Sequence, residues 1–175
     1  LEDALRSAQD FCDELIVVDT GSTDRTIEIA QDMGATLSHF PWINDFSAAR
    51  NCALAHVTSD YALVLDADER LGPGSGEKLR QVINDETFHM GLMSLHQASE
   101  VTASLDSVVK GEQRLGSPVL LPRLLRMVDG VHYEGAVHEQ PKFESKSEYV
   151  IVGADIVHSG GDPNWRDAKT RVSVI

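Results

Sequence analysis

The chain has 175 residues, 42% of them hydrophobic and 25% charged, with a formal net charge of −13. That length suits one domain with a core of its own, and the acidic balance argues against a nucleic-acid partner, which needs basic stripes. A nucleotide remains open, because one cation and an arginine or two neutralise a diphosphate locally.

Cys12 and Cys52 stand alone, without C-x-x-C or metal-ligand spacing, and read as reduced thiols of a cytoplasmic protein. No stretch approaches the roughly 18 consecutive apolar residues of a membrane span, and no signal-peptide pattern opens the sequence.

In chain order, EDALRSAQDF (Glu2 to Phe11) places Ala4, Leu5, Ala8 and Phe11 at helical spacing. LIVV (Leu15 to Val18) is a short apolar run, hence a buried strand, and it ends in Asp19. Gly21 then suits a tight turn, and Ser22, Thr23 or Asp24 caps the next helix. That helix runs from Arg25 to Met33, with Ile27 and Ala30 inward and Gly34 at its stop. ATLSHF (Ala35 to Phe40) is the following strand, so the unit is a right-handed parallel crossover.

After the loop Pro41 to Asp45, FSAARNCALAH (Phe46 to His56) reads as a helix whose Ala48, Ala49, Cys52, Ala53 and Ala55 let it lie close to a sheet. YALVL (Tyr61 to Leu65) is expected to be a buried parallel strand. It breaks into Asp66, Ala67, Asp68 and Glu69. Side chains two apart on extended backbone point the same way, so Asp66 and Asp68 are expected to share a ligand. Hard divalent cations such as magnesium or manganese are held by one or two carboxylates plus phosphate oxygens. The plainer alternative is an acidic turn capping the next helix, Glu77 to Asn84. Further on, Met90 to His96, Leu120 to Met127 and Tyr149 to His158 read as strands, and Val101 to Ser117 as an irregular, mobile segment. Residues 1–71 thus form an α/β nucleotide half, and residues 72–175 a more β-rich half for the other substrate.

Acids at successive strand ends are the pattern of a nucleotide site at the carboxyl edge of an α/β sheet. VVDTGSTDRTIEIAQDMGA, FPWINDFSAARNCAL and YALVLDADER together resemble the nucleotide-sugar domain of family 2 glycosyltransferases with the Rossmann-like GT-A fold. Within that family, VHYEGAVHE (Val131 to Glu139) and IVHSGG (Ile156 to Gly161) are similar to the bacterial subgroup that includes lipopolysaccharide core glucosyltransferases. The resemblance implies a mostly parallel central sheet flanked by helices. It implies an inverting transfer from a nucleotide-sugar, UDP-linked, to a glycan or lipid-linked acceptor, in the cytoplasm or at the inner face of the membrane.

Residue by residue, the resemblance puts Asp19, Ser22, Asp24, Arg50, Asn51, Asp66 and Ala67 around the nucleotide-sugar. It makes Asp68 and His158 ligands of a manganese or magnesium ion, Glu139 the general base, and Glu134 the reserve for that role. Each has a plainer reading: a turn-stabilising Asp19, a surface Arg50 paired with Asp45, a strand-end His158 without a role, and Glu134 or Glu139 in structural ion pairs.

The family begins with a strand mid-sheet, which this sequence lacks at its start. The expectation is a chain cut from a longer protein at both ends, or a slot filled by another segment or molecule, since unpaired buried backbone is costly. The final residues read as a helix from Trp165. Two other functions stay open. A nucleotidyltransferase shares such a sheet and acid pair, but usually carries a glycine-rich basic loop that is not visible here. A non-catalytic sugar-nucleotide-binding module keeps the fold without turnover.

Overall fold

The computed structural model describes residues 1–85, 87–144 and 146–159, and the backbone of residues 173–174. Its helices are α1 (Glu2–Ala8), α2 (Thr26–Asp32), α3 (Phe46–Leu54), α4 (Ser75–Asp85) and α5 (Leu105–Lys110). Its strands are β1 (Ile16–Asp19), β2 (Thr36–His39), β3 (Tyr61–Leu63), β4 (Leu65–Asp66), β5 (Glu69–Leu71), β6 (Met90–Ala98), β7 (Arg114–Arg126), β8 (His132–Glu134), β9 (Gln140–Lys142), β10 (Tyr149–His158) and β11 (Ser173–Val174).

Two sheets share the core. The first has the order β2-β1-β11-β4 and the second β3-β7-β6-β10-β5, with β8 and β9 as a separate hairpin. β1 and β2 are parallel, as the crossover through α2 requires. β6 and β10 are also parallel. The other pairings are antiparallel, so the architecture is mixed α/β, and the expectation of a mostly parallel, Rossmann-like sheet is corrected.

The correction is sharpest at Tyr61 to Leu65, expected as one parallel strand. Tyr61–Leu63 pairs antiparallel with β7. The Val64 N–H then donates to the Arg123 carbonyl at 2.7 Å, and the chain crosses into the other sheet as β4. An apolar run buried on both faces carries no signal of strand direction, which is why the sequence left this open to error.

β1 shows how the core divides. Ile16 and Val18 pack with Ala53, Leu54, Ala62, Val64, Leu125 and Tyr133 under α3. Val17, pointing the other way, packs with Leu5, Ala30, Leu65 and Ile156. Strand periodicity of two thus feeds both clusters from four residues. The α1 face Ala4, Leu5 and Ala8 is buried as its spacing predicts. On α2, Ala30 is inward, but Ile27 is 40% exposed, and Ile29 makes the packing contact instead. On α3, Ala49 and Ala53 are buried while Ala55 is exposed, beyond the helix end at Leu54.

Residues 101–117, expected to be irregular, contain α5 and the start of β7. Ser104 caps α5 by accepting from the Ser107 N–H, and left-handed Gly111 ends it. Of the alternatives for the mid-sheet slot, the structure shows another segment in it: β11 lies between β1 and β4 and pairs antiparallel with both. Most of the expected helix from Trp165 to the last residue lies outside the described residues, but Ser173–Val174 form strand β11, which corrects that expectation there.

Candidate active site

β1 and β4 deliver their terminal acids to one edge. Val18 pairs with Ser173 and Ser173 with Asp66, so Asp66 stands level with the residue before Asp19. Two strand spacings, about 9.5 Å, separate them laterally.

The buried Asp19 carboxylate closes its own turn. It accepts from the Gly21 N–H at 3.2 Å and the Ser22 N–H at 2.9 Å. Gly21 takes a φ of 115° to present its amide. Across β2, in register with Asp19, His39 places Nδ1 3.2 Å from the same carboxylate. Burial alone raises the Asp19 pKa, but these hydrogen bonds prevail and hold it below the ordinary value. Asp24 accepts from the Thr26 N–H at 3.0 Å and so steadies the start of α2.

α3 begins at Asp45, whose carboxylate accepts from the Ala48 N–H and the Ser47 hydroxyl. One turn on, Arg50 is buried with 6% exposure. It does not pair with Asp45. Its Nε donates to Glu139 at 2.7 Å and its Nη2 to Asp66 at 2.9 Å. From β7, Arg123 Nη2 donates to the other Asp66 oxygen at 3.3 Å and to Glu69. The result is an alternating chain, Glu139–Arg50–Asp66–Arg123–Glu69. Burial raises the Asp66 pKa, yet the two guanidinium groups outweigh it and hold the carboxyl below its usual range. Glu69, only 1% exposed, is pushed up to about 7 by burial, despite Arg123. Arg50 Nη1 and Arg123 Nε are buried without a hydrogen-bond partner among the described residues. Such orphan donors cost about 1–3 kcal/mol each until an acceptor arrives.

Asn51 sits beside Arg50 but does different work. Its amide donates to the Tyr133 carbonyl at 2.9 Å and accepts from the Tyr133 N–H at 2.6 Å. That clamp sets β8, and with it the Tyr133 ring 5.5 Å under the Arg50 guanidinium carbon. Ala67 packs against the core.

Ala67 and Asp68 form a turn between β4 and β5, so the rule for extended backbone fails there. Asp66 turns to the arginines, and Asp68 turns to His158. Asp68 Oδ2 and His158 Nε2 are 3.0 Å apart. The Ser159 N–H donates to the Asp68 carbonyl at 3.0 Å, which pins the turn against the end of β10. Two adjacent ligands of an octahedral cation, each roughly 2.1 Å from it, lie about 3 Å from one another. The carboxylate–imidazole pair therefore fits one edge of such a shell. Among the described residues, no group of three or more His, Cys, Asp and Glu side chains could hold an ion, so other positions would fall to water and phosphate oxygens.

Glu139 and Glu134 part company. Glu139 keeps 14% side-chain exposure on Arg50. Glu134 is 61% exposed and pairs with His132. Sequence reasoning missed Arg123, the role of Glu69, His39 and Gln97. A lone charge inside the apolar run LLPRLL marked Arg123, and the strand-end rule that found Asp19 also selects His39 on the next strand.

Residues 1–110 match glycosyl transferase family 2, and the chain belongs to that family. It is 35% identical to a TPR repeat-containing protein of Synechococcus elongatus, over 98% of this chain and 37% of that protein. It is 28% identical to the prophage-derived glycosyltransferase SunS of Bacillus subtilis, over 98% of this chain and 39% of SunS. A Rickettsia bellii glycosyltransferase is 38% identical over 55% of this chain and 35% of its own length. The chain thus spans less than two fifths of the length of each of these relatives. Among the described residues, no helix is long and apolar enough to cross a membrane.

Proposed function

We propose that the chain forms the donor-binding part of an inverting, cation-dependent glycosyltransferase. It moves a hexose from a UDP-linked donor to a hydroxyl of a bacterial surface glycan or glycolipid such as a lipopolysaccharide core, at the cytoplasmic face of the membrane. The observation that carries the reading is the convergence of Asp19 and Asp66 at one sheet edge, in a family 2 chain, with the Asp68–His158 pair on the turn directly after Asp66.

The roles follow from the chemistry of the side chains. Asp19, fixed by its turn, accepts hydrogen bonds from the base or ribose, and the Ser22 and Asp24 turn borders it. Asp68 and His158 hold a manganese or magnesium ion, which when bound offsets the charge growing on the departing diphosphate. Asp66, locked between two guanidinium groups, is a fixed negative group beside the donor sugar. It favours the positive charge of an oxocarbenium-like transition state without needing to reorganise. Arg50 sets the geometry of Asp66 and Glu139 together, and its Nη1 offers one donor to an arriving phosphate oxygen. Glu139 takes the acceptor's proton as the hydroxyl attacks, so inversion needs a single base. The acceptor class is carried by the resemblance of VHYEGAVHE and IVHSGG alone.

The test is product analysis with a panel of nucleotide-sugars and manganese. Release of nucleoside diphosphate from a UDP-hexose is the expected result. Release of pyrophosphate would instead identify a nucleotidyltransferase, and binding without turnover would identify a non-catalytic module.

A further inference from the structure

Gln97 lies near the end of β6, directly across from His158 in the parallel β6–β10 register. Its Oε1 is 2.7 Å from His158 Nδ1. Its Nε2 faces two backbone carbonyls, Ala98 at 3.4 Å and His158 at 3.5 Å. Those carbonyls settle which end of the amide points where. Turning the amide over would aim its oxygen at two other oxygens and lose both donations. With Oε1 an acceptor, His158 Nδ1 must carry a proton. On the other side of the ring Nε2 hydrogen-bonds Asp68 Oδ2 at 3.0 Å, so an arriving cation would take the place of the Nε2 proton while Nδ1–H stays on Gln97.

We infer that Gln97 is a positioning residue for cation binding, holding the His158 ring and tautomer so that the Nε2 lone pair and the Asp68 carboxylate address the same ion. This rests on the cation reading above. The physical basis is general: a ligating imidazole whose other nitrogen donates to a fixed acceptor is oriented in advance and is more basic at the ligating atom, and loss of such a partner typically weakens metal binding about 10–100-fold. The parallel register explains why Gln97 can serve. Adjacent strands put Gln97 and His158 side by side at the sheet end, so neither long side chain has to search for the other.

The experiment titrates manganese into the purified protein with UDP present, because phosphate oxygens complete the ion's shell, and reads the protein-bound ion by electron paramagnetic resonance against a protein-free manganese–UDP control, independently of turnover. Wild type is expected to bind, His158→Ala to lose binding, and Gln97→Leu to weaken it about 10–100-fold. Gln97→Glu restores an acceptor for Nδ1–H and is expected to recover most of the affinity, which a merely structural role would not produce. No manganese binding by wild type would overturn the cation reading itself. Wild-type binding with Gln97→Leu unchanged, or with Leu and Glu equally weak, would overturn only the role of Gln97.

Discussion

Glu139 accepts from Arg50 at 2.7 Å although 89 residues separate them in the chain. The same guanidinium reaches Asp66 at 2.9 Å, so one buried arginine joins the acid at the end of β4 to the residue that leads into β9. Arg50→Met keeps the length of the side chain and removes the charge, stranding Glu139 and leaving Asp66 to Arg123 alone. Breaking a buried ion pair this way costs about 3–5 kcal/mol. The low end applies, since Asp66 keeps 29% of its side chain exposed. Urea unfolding of the variant should show that loss.

The two candidate bases separate by environment. Glu139→Gln retains the contact to Arg50 while abolishing proton acceptance, and should lower kcat by about 10²–10⁴-fold with little change in donor KM. Glu134→Gln removes only an exposed pair with His132 and should leave kcat within a few-fold of wild type. Steady-state kinetics on both variants, with donor and acceptor varied separately, checks this. A reversed pattern would move the role to Glu134.

Glu69 makes the stability depend on pH. Burial, only partly offset by Arg123, lifts its pKa from an ordinary 4.5 to about 7. Between those values the folded state holds a proton that the unfolded state releases. This contribution is therefore fully present below the unfolded pKa and is lost as pH rises through the folded one. Glu69→Gln fixes the neutral form. The stability difference between wild type and Glu69→Gln, measured by urea unfolding at pH 5.5 and pH 8.5, should shift against wild type at the higher pH. No change between the two pH values would show that Glu69 stays ionised on Arg123 throughout.

The first half of the site was legible because its chemistry sits where short-range rules apply. An apolar run ending in an acid locates Asp19 and Asp66 without knowing the sheet order, and the turn residues and helical spacing place α2 and α3 to within a few residues. Strand direction was not legible. Tyr61 to Leu65 is buried on both faces, and nothing local says that β3 pairs antiparallel with Arg126, Leu125 and Leu124. Arg123 and Glu69 escaped for the same reason, since their partners come from distant strands. Asp68 was assigned by extended-strand geometry, whereas the backbone turns at Ala67 and brings it to His158. The family resemblance places Asn51 with Arg50 at the nucleotide-sugar as an R-N pair. On a helix, neighbouring residues face different ways, so Arg50 reaches the acids and Asn51 the backbone of Tyr133.

The most direct test follows UDP release from a UDP-hexose with manganese present, in wild type and in Asp68→Ala. If Asp68 grips the ion that grips the diphosphate, wild type turns the donor over, chelation by EDTA stops it, and the variant is inactive at any manganese concentration. Turnover by Asp68→Ala equal to wild type, or wild-type turnover indifferent to EDTA, would contradict the account.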